Sequence, residues 1–241
     1  MELKIINMYP DILNLYGDIG NLICIKQRCN WRGIKTNIEN FTIDHEVAIE
    51  ESDMILVGGG SDNGQNIVST HLLKQKRELE DFIDDRKVIL AICGSYQMFG
   101  SSYIDVDNKK VPCLEIFDIE TISQRNRLTG NIIIENNLGL EPKEIVGFEN
   151  HGGRTYHRYT SFGSVKLGYG NNEEEKNEGM IHENFIASYL HGPLLPKNPQ
   201  IADHMILNAL KNKYDIESLE QIEDTIEMNA HNTVIKRLMK Q

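Results

Sequence analysis

The chain has 241 residues, 40% of them hydrophobic, enough for one sizeable core. A formal net charge of −11, with no cluster of Lys and Arg, argues against a nucleic-acid groove. No apolar run approaches the ~18 residues of a membrane span, no basic-then-apolar leader opens the chain, and Cys24, Cys29, Cys93 and Cys113 include no C-x-x-C pair. A cytoplasmic protein with reduced thiols is expected.

In chain order, "LKIINM" (3–8) reads as a strand, and 18–33 as a helix with Asp18 as its cap and Gly33 as its stop. Strands follow at 34–41 and 53–60, the latter running into Gly58, Gly59 and Gly60. A long helix is expected over 65–85, its buried face marked by Ile67, Leu72, Leu79, Phe82 and Ile83. "KVILAIC" (87–93) reads as a buried strand. This β-α-β-α-β order predicts an α/β fold with a mostly parallel central sheet flanked by helices. Further strands are expected at 114–122, 130–135, 145–151, 164–170 and 184–192, a solvated acidic turn at 169–180, and helix in the last 40 residues. With no repeat or clear linker, one domain over 1–241 is the natural reading, its core in about 1–200.

Sites in open parallel sheets gather at the carboxyl ends of strands. "GGGSD" (58–62), "CGS" (93–95) and "HG" (191–192) each follow an apolar strand pattern. Ala91, Gly94 and Ser95 give Cys93 the small neighbours that a nucleophile held on a sharp strand-to-helix turn requires. The helix after it would turn its amide end toward the sulfur and favour thiolate. A buried structural cysteine is the plain alternative. A nucleophilic cysteine needs a base; His191 ends a strand, and His151 in "FENHGGRTY" competes with it. The triple glycine lacks the spacing and the lysine of a phosphate loop, but its backbone amides suit an oxyanion. No Cys/His set has zinc spacing, so no metal is expected.

Taken together, "VGGGSD", "AICGSYQMFG", "GFENHGGRTY" and "ASYLHGP" resemble the class I glutamine amidotransferases, in their cobyric acid synthase-like branch. "YPDILNLYGDIGN" and "NRLTG" narrow the resemblance to glutaminase subunits of lipid II isoglutaminyl synthases. The resemblance implies Cys93 as nucleophile, His191 as base, and Gly94 with Gly59 or Gly60 as oxyanion donors. It also implies Arg127 and Gln97 as glutamine-binding residues. The ammonia would pass to a separate Mur-ligase-like subunit that carries ATP and Mg and amidates the D-glutamate of the stem peptide. A cobyrinate-type amidotransferase is one alternative, although its synthetase domain usually precedes the glutaminase; a non-catalytic binding module is the other. Three positions depart from the pattern. Ala91 and Ser95 stand where glycines are usual, and Pro193 stands where the wider class has a Glu two residues after the histidine. The base would then work in a dyad or borrow a carboxylate from the synthetase subunit, and the borrowed carboxylate is the favoured expectation.

Overall fold

The computed structural model describes residues 1–240 and, at Asp62, the backbone alone. The expected alternation of strand and helix is realised in β1 (Glu2–Met8), β2 (Lys35–Phe41), β3 (Met54–Val57) and β4 (Val88–Ile92). A second set follows: β5 (Ser102–Ile104), β6 (Lys110–Val111), β7 (Ile119–Asn136), β8 (Glu144–His157), β9 (Gly163–Leu167) and β10 (Asn177–Glu178). The chain then returns to the first sheet with β11 (Met180–His182) and β12 (Phe185–Ser188).

The first sheet has the order β11-β12-β4-β3-β1-β2 and is parallel except for the β11–β12 pair. Every residue of β3 and β4 is buried, as befits central strands covered on both faces. The chain leaves β1 toward β2 and comes back on its other side as β3. The carboxyl ends of β1 and β3 therefore form a topological switch point, the place where such sheets open a crevice. The second sheet, β10-β9-β7-β5-β6 with β8 on β7, is antiparallel apart from β5–β7.

Around the sheets lie α1 (Ile19–Trp31), α2 (Asp62–Leu72), α3 (Lys76–Asp84), α4 (Gly94–Met98), α5 (Leu194–Lys197), α6 (Pro199–Tyr214) and α7 (Thr225–Leu238). None of the described helices is long and apolar enough to cross a membrane. Gly33, at φ +64°, closes α1 as expected.

Four details differ from expectation. The helix expected over 65–85 starts at Asp62, where the Ser61 hydroxyl accepts the Gly64 N–H, and it breaks at a 3-10 turn, Leu73–Gln75. That phase leaves Ile67 exposed and buries Val68 in its place. The strands expected at 114–122 and 130–135 are one 18-residue strand, β7, whose polar middle is a bulge between Ser123 and Leu128. The acidic segment 169–180 is not a wholly solvated turn: Asn171, Asn172 and Glu178 are buried, and Glu178 accepts the Tyr189 N–H at 2.6 Å. Burial pushes the Glu178 carboxyl up to about 8.

The C-terminal helices are tied down through α1. Arg28 is buried and forks between Asp203 on α6 and Asp224 at the start of α7, with N···O distances of 2.6–2.7 Å; Arg32 joins Asp203. Replacing Arg28 by Ala leaves Asp224 without its cation and Asp203 with Arg32 alone. Arg28→Ala should lower the unfolding free energy by about 3 kcal/mol in urea titration and speed amide exchange first in Thr225–Leu238. An unchanged midpoint would remove this anchor from the account.

Candidate active site

Cys93 follows β4 directly, and its N–H donates to Ser188 O of β12 at 2.8 Å. Its backbone sits at φ 57°, ψ −106°, a conformation costly for a residue with a side chain. The flanking small residues explain how the turn is held. A side chain on Gly94 would meet Gln65 within 2.4 Å. Ser95, in a place usually held by glycine, is wholly buried and donates to Ile92 O and Val57 O at 3.0 Å each, tying the elbow to β3. The helix after Cys93 has only five residues. Its field at the sulfur is that of a few amide groups.

The His191 backbone forms an antiparallel bridge with Phe148 of β8, so the second sheet fixes the histidine that leaves the first. Its ring is fully buried. The methyl of an alanine at position 59 would lie 2.8 Å from His191 Cε1 and 3.1 Å from Cys93 Cβ; both side chains flank Gly59.

The acid comes from within the chain. Asp18 was expected to cap α1, but its side chain makes no capping bond. Instead Oδ1 accepts from His191 Nδ1 at 3.2 Å and Oδ2 accepts the Gly59 N–H at 2.8 Å. A carboxylate of this chain thus stands at the ring nitrogen for which a borrowed one was expected. Pro193 is indeed no acid, but it packs on Gly20, where an added methyl would stand 2.4 Å from Pro193 Cγ, and so seats the start of α1 beside His191. The signal available in the sequence was position: Asp18 follows the first strand, at the switch point.

With Nδ1 on Asp18, His191 Nε2 is left for Cys93 and has no other hydrogen-bond partner among the described residues. Burial alone favours the neutral ring. The adjacent Cys93 sulfur and the hydrogen bond to Asp18 outweigh it and push His191 up to about 10. The ring is thereby disposed to the imidazolium form, a proton donor beside the sulfur.

The glycine loop presents one donor, not two. Gly59 N–H is already bonded to Asp18. Gly59 O accepts the Leu15 N–H at 2.9 Å, so the planar trans peptide turns Gly60 N–H the opposite way. Gly60 N–H and Gly94 N–H have no partner among the described residues.

Cys93 opens onto a cleft of about 260 Å³ whose walls include Tyr16, Gly60, Gln65, Gln97, Arg127 and His151. Arg127 projects from the β7 bulge; its Nε and Nη2 donate to Asn150 Oδ1 and O at 2.7 and 2.6 Å. Asn150 in turn donates to the Tyr16 hydroxyl, and the Tyr16 ring stands edge-on to His191 at 4.8 Å. His151, the competing base, lines the same cleft, but its Nδ1 is bonded to Gly153 O at 2.8 Å and its ring is stacked on Tyr189. Burial holds it below the ordinary histidine range, hence neutral, and its Nε2 lies 3.8 Å from Glu149 Oε2. Asp18 was expected only as a helix cap, and Tyr16 and Asn150 were given no role from the sequence.

Residues 4–199 match the CobB/CobQ-like glutamine amidotransferase domain. The chain belongs to this family. It is 42% identical to the lipid II isoglutaminyl synthase (glutamine-hydrolyzing) subunit GatD of Staphylococcus aureus, over all of this chain and 98% of the relative. It is 34% identical to the subunit of the same name in Streptococcus pneumoniae, over 88% of this chain and 82% of the relative. A cobyric acid synthase of Listeria monocytogenes is 24% identical, and the match spans half of that protein. Among solved structures, a glutamine amidotransferase of Thermotoga maritima shares the fold at a TM-score of 0.54 and 14% identity, covering 97% of this chain and 90% of the other.

For this amidotransferase site, the Asp18 contact sets a pH signature. Asp18→Asn removes a negative charge that favours the imidazolium. The alkaline limb of kcat/KM for glutamine should therefore move to lower pH, and kcat should fall by roughly 10²-fold. An unmoved limb would mean that Asp18 does not act on His191.

Proposed function

We propose that this chain is the glutaminase subunit of a lipid II isoglutaminyl synthase. The observation that carries the reading is the strained Cys93 at the end of β4 with the His191–Asp18 pair beside it. The 42% identity to a relative of that name supports the substrate context.

In this reading the Cys93 thiolate attacks the side-chain carbonyl carbon of L-glutamine. Gly60 N–H and Gly94 N–H receive the developing oxyanion. His191 gives its Nε2 proton to the amide nitrogen, the C–N bond breaks, and ammonia leaves a thioester on Cys93. The now neutral His191 takes a proton from water, whose oxygen attacks the thioester. Collapse releases glutamate and restores the thiolate–imidazolium pair, while Asp18 holds the ring through both proton transfers. Arg127 suits the α-carboxylate, since it is exposed on the cleft wall and, among the described residues, its fork is hydrogen-bonded to Asn150 alone. Near it, Gln97 Oε1 is a buried acceptor with no hydrogen-bond partner among the described residues, suited to the α-ammonium group.

Ammonia requires an activated acceptor. A separate Mur-ligase-like subunit, holding ATP and Mg, would phosphorylate the D-glutamate α-carboxylate of lipid II, and ammonia would convert it to D-isoglutamine in the cytoplasm.

Two substitutions test this. Cys93→Ala in the assembled complex should abolish glutamine-dependent amidation and leave amidation from added ammonium salt intact; glutamine turnover by Cys93→Ala would sink the assignment. Arg127→Ala should raise KM for glutamine by at least tenfold, since losing one partner of a bound charge pair costs about 2–5 kcal/mol. An unchanged KM would return Arg127 to a structural role.

A further inference from the structure

Gln65 lies in the first turns of α2, 3% exposed, and lines the cleft at Cys93. Its Nε2 donates to Gly60 O at 3.2 Å. The same amide packs against the residue after the nucleophile: a methyl on Gly94 would meet its Nε2, Cδ and Cγ at 2.4, 2.6 and 2.8 Å. The Gln65 carboxamide thus bridges the two glycines whose N–H groups are free for an oxyanion. With Nε2 anchored, Oε1 is a buried acceptor with no partner among the described residues. Leaving such an oxygen unpaired costs stability.

A primary carboxamide carries an oxygen and an NH₂ on one carbon. Its oxygen needs donors, which Gly60 and Gly94 offer; its nitrogen needs an acceptor beside them, which Gln65 Oε1 offers. The other polar groups of the cleft sit elsewhere. Gln97 Nε2 is bonded to Tyr189 and touches Gly153, His151 is bonded to Gly153, and the neighbouring Gly152 approaches Arg127. Those groups serve the amino-acid end of the ligand.

We propose that Gln65 Oε1 accepts an N–H of the substrate's side-chain carboxamide and so selects glutamine against glutamate and other γ-substituted analogues. This rests on the glutaminase reading. Glutamate, the product, would turn a carboxylate oxygen toward Oε1 where glutamine turns an N–H, so the same contact favours product release. Sites that hydrogen-bond a substrate group reject analogues lacking it far more strongly than apolar pockets do.

The experiment compares L-glutamine with L-glutamate γ-methyl ester, which needs the same cysteine and oxyanion donors but has no N–H at the reacting carbon. Both are assayed with the full chain purified with its synthetase subunit, in wild type and in Gln65→Met and Gln65→Leu. Expected is a fall of at least tenfold in the ratio of kcat/KM for glutamine over the ester. Competitive inhibition by glutamate should stay equal or tighten. A parallel loss for both substrates, with the ratio unchanged, would overturn the proposal and leave Gln65 as a support for the Gly60 and Gly94 backbone. If wild type turns over neither substrate, the glutaminase reading falls first, and this one with it.

Discussion

The carboxylate of Asp18 joins two parts of the site that the chain builds far apart. One oxygen holds His191 Nδ1, 173 residues away in sequence; the other holds the Gly59 N–H. A base is useful only with its free nitrogen aimed at the nucleophile, and an oxyanion donor only with its peptide plane set in advance. Asp18 acts on both. It fixes the ring from behind, and it pins the glycine strand one residue before the peptide that presents Gly60 N–H. Leu15, three residues earlier on the same loop, holds the Gly59 carbonyl and finishes the setting of that peptide.

That loop sits at the topological switch point, which explains why so much depends on it. Because β2 and β3 lie on opposite sides of β1, the turns leaving β1 and β3 part company and leave room between them. Tyr16, at φ 59°, bends the loop over the crevice so that its ring meets His191 and its hydroxyl meets Asn150, the residue that holds Arg127. Strain at Cys93 and at Tyr16 is thus stored on two turns facing one cleft. Both are over-determined by neighbours: Ser95 and Ser188 at the elbow, Gly59 and Asn150 at the loop.

The sequence exposed what obeys local rules. An all-apolar run into a cysteine flanked by small residues marks a buried strand and a tight turn, and β4 and Cys93 sit there. Gly33 at a helix end and Gly58–Gly60 at a strand end follow the same logic. Misreadings came where tertiary partners decide. The run "SQRNRLT" is polar enough to suggest a break, yet the pairing of Ser123 and Leu128 with β8 on either side of the bulge keeps it in one strand. The acidic segment near 175 reads as solvated, but Glu178 is drawn inside by the Tyr189 N–H and the Ser188 hydroxyl. Asp18 fits a helix cap by every local rule; only the packing of α1 against the segment after β12 gives its side chain a different partner.

Replacing an acid on the histidine's own strand by Asp18 changes what keeps the base aligned. A Glu two residues after His191 would be placed by local strand geometry alone. Asp18 is placed by α1, a separate element, so alignment becomes a property of helix packing. At its N-terminal end α1 meets Pro193 through Gly20, which has no side chain to hold them apart. At its C-terminal end Arg28 and Arg32 bind Asp203 and Asp224, whose helices follow the histidine segment in the chain. One helix therefore carries the orienting carboxylate at one end and the anchor of the C-terminal region at the other. A proline that cannot orient a histidine electrostatically contributes by shape, as the surface that brings the acid into reach.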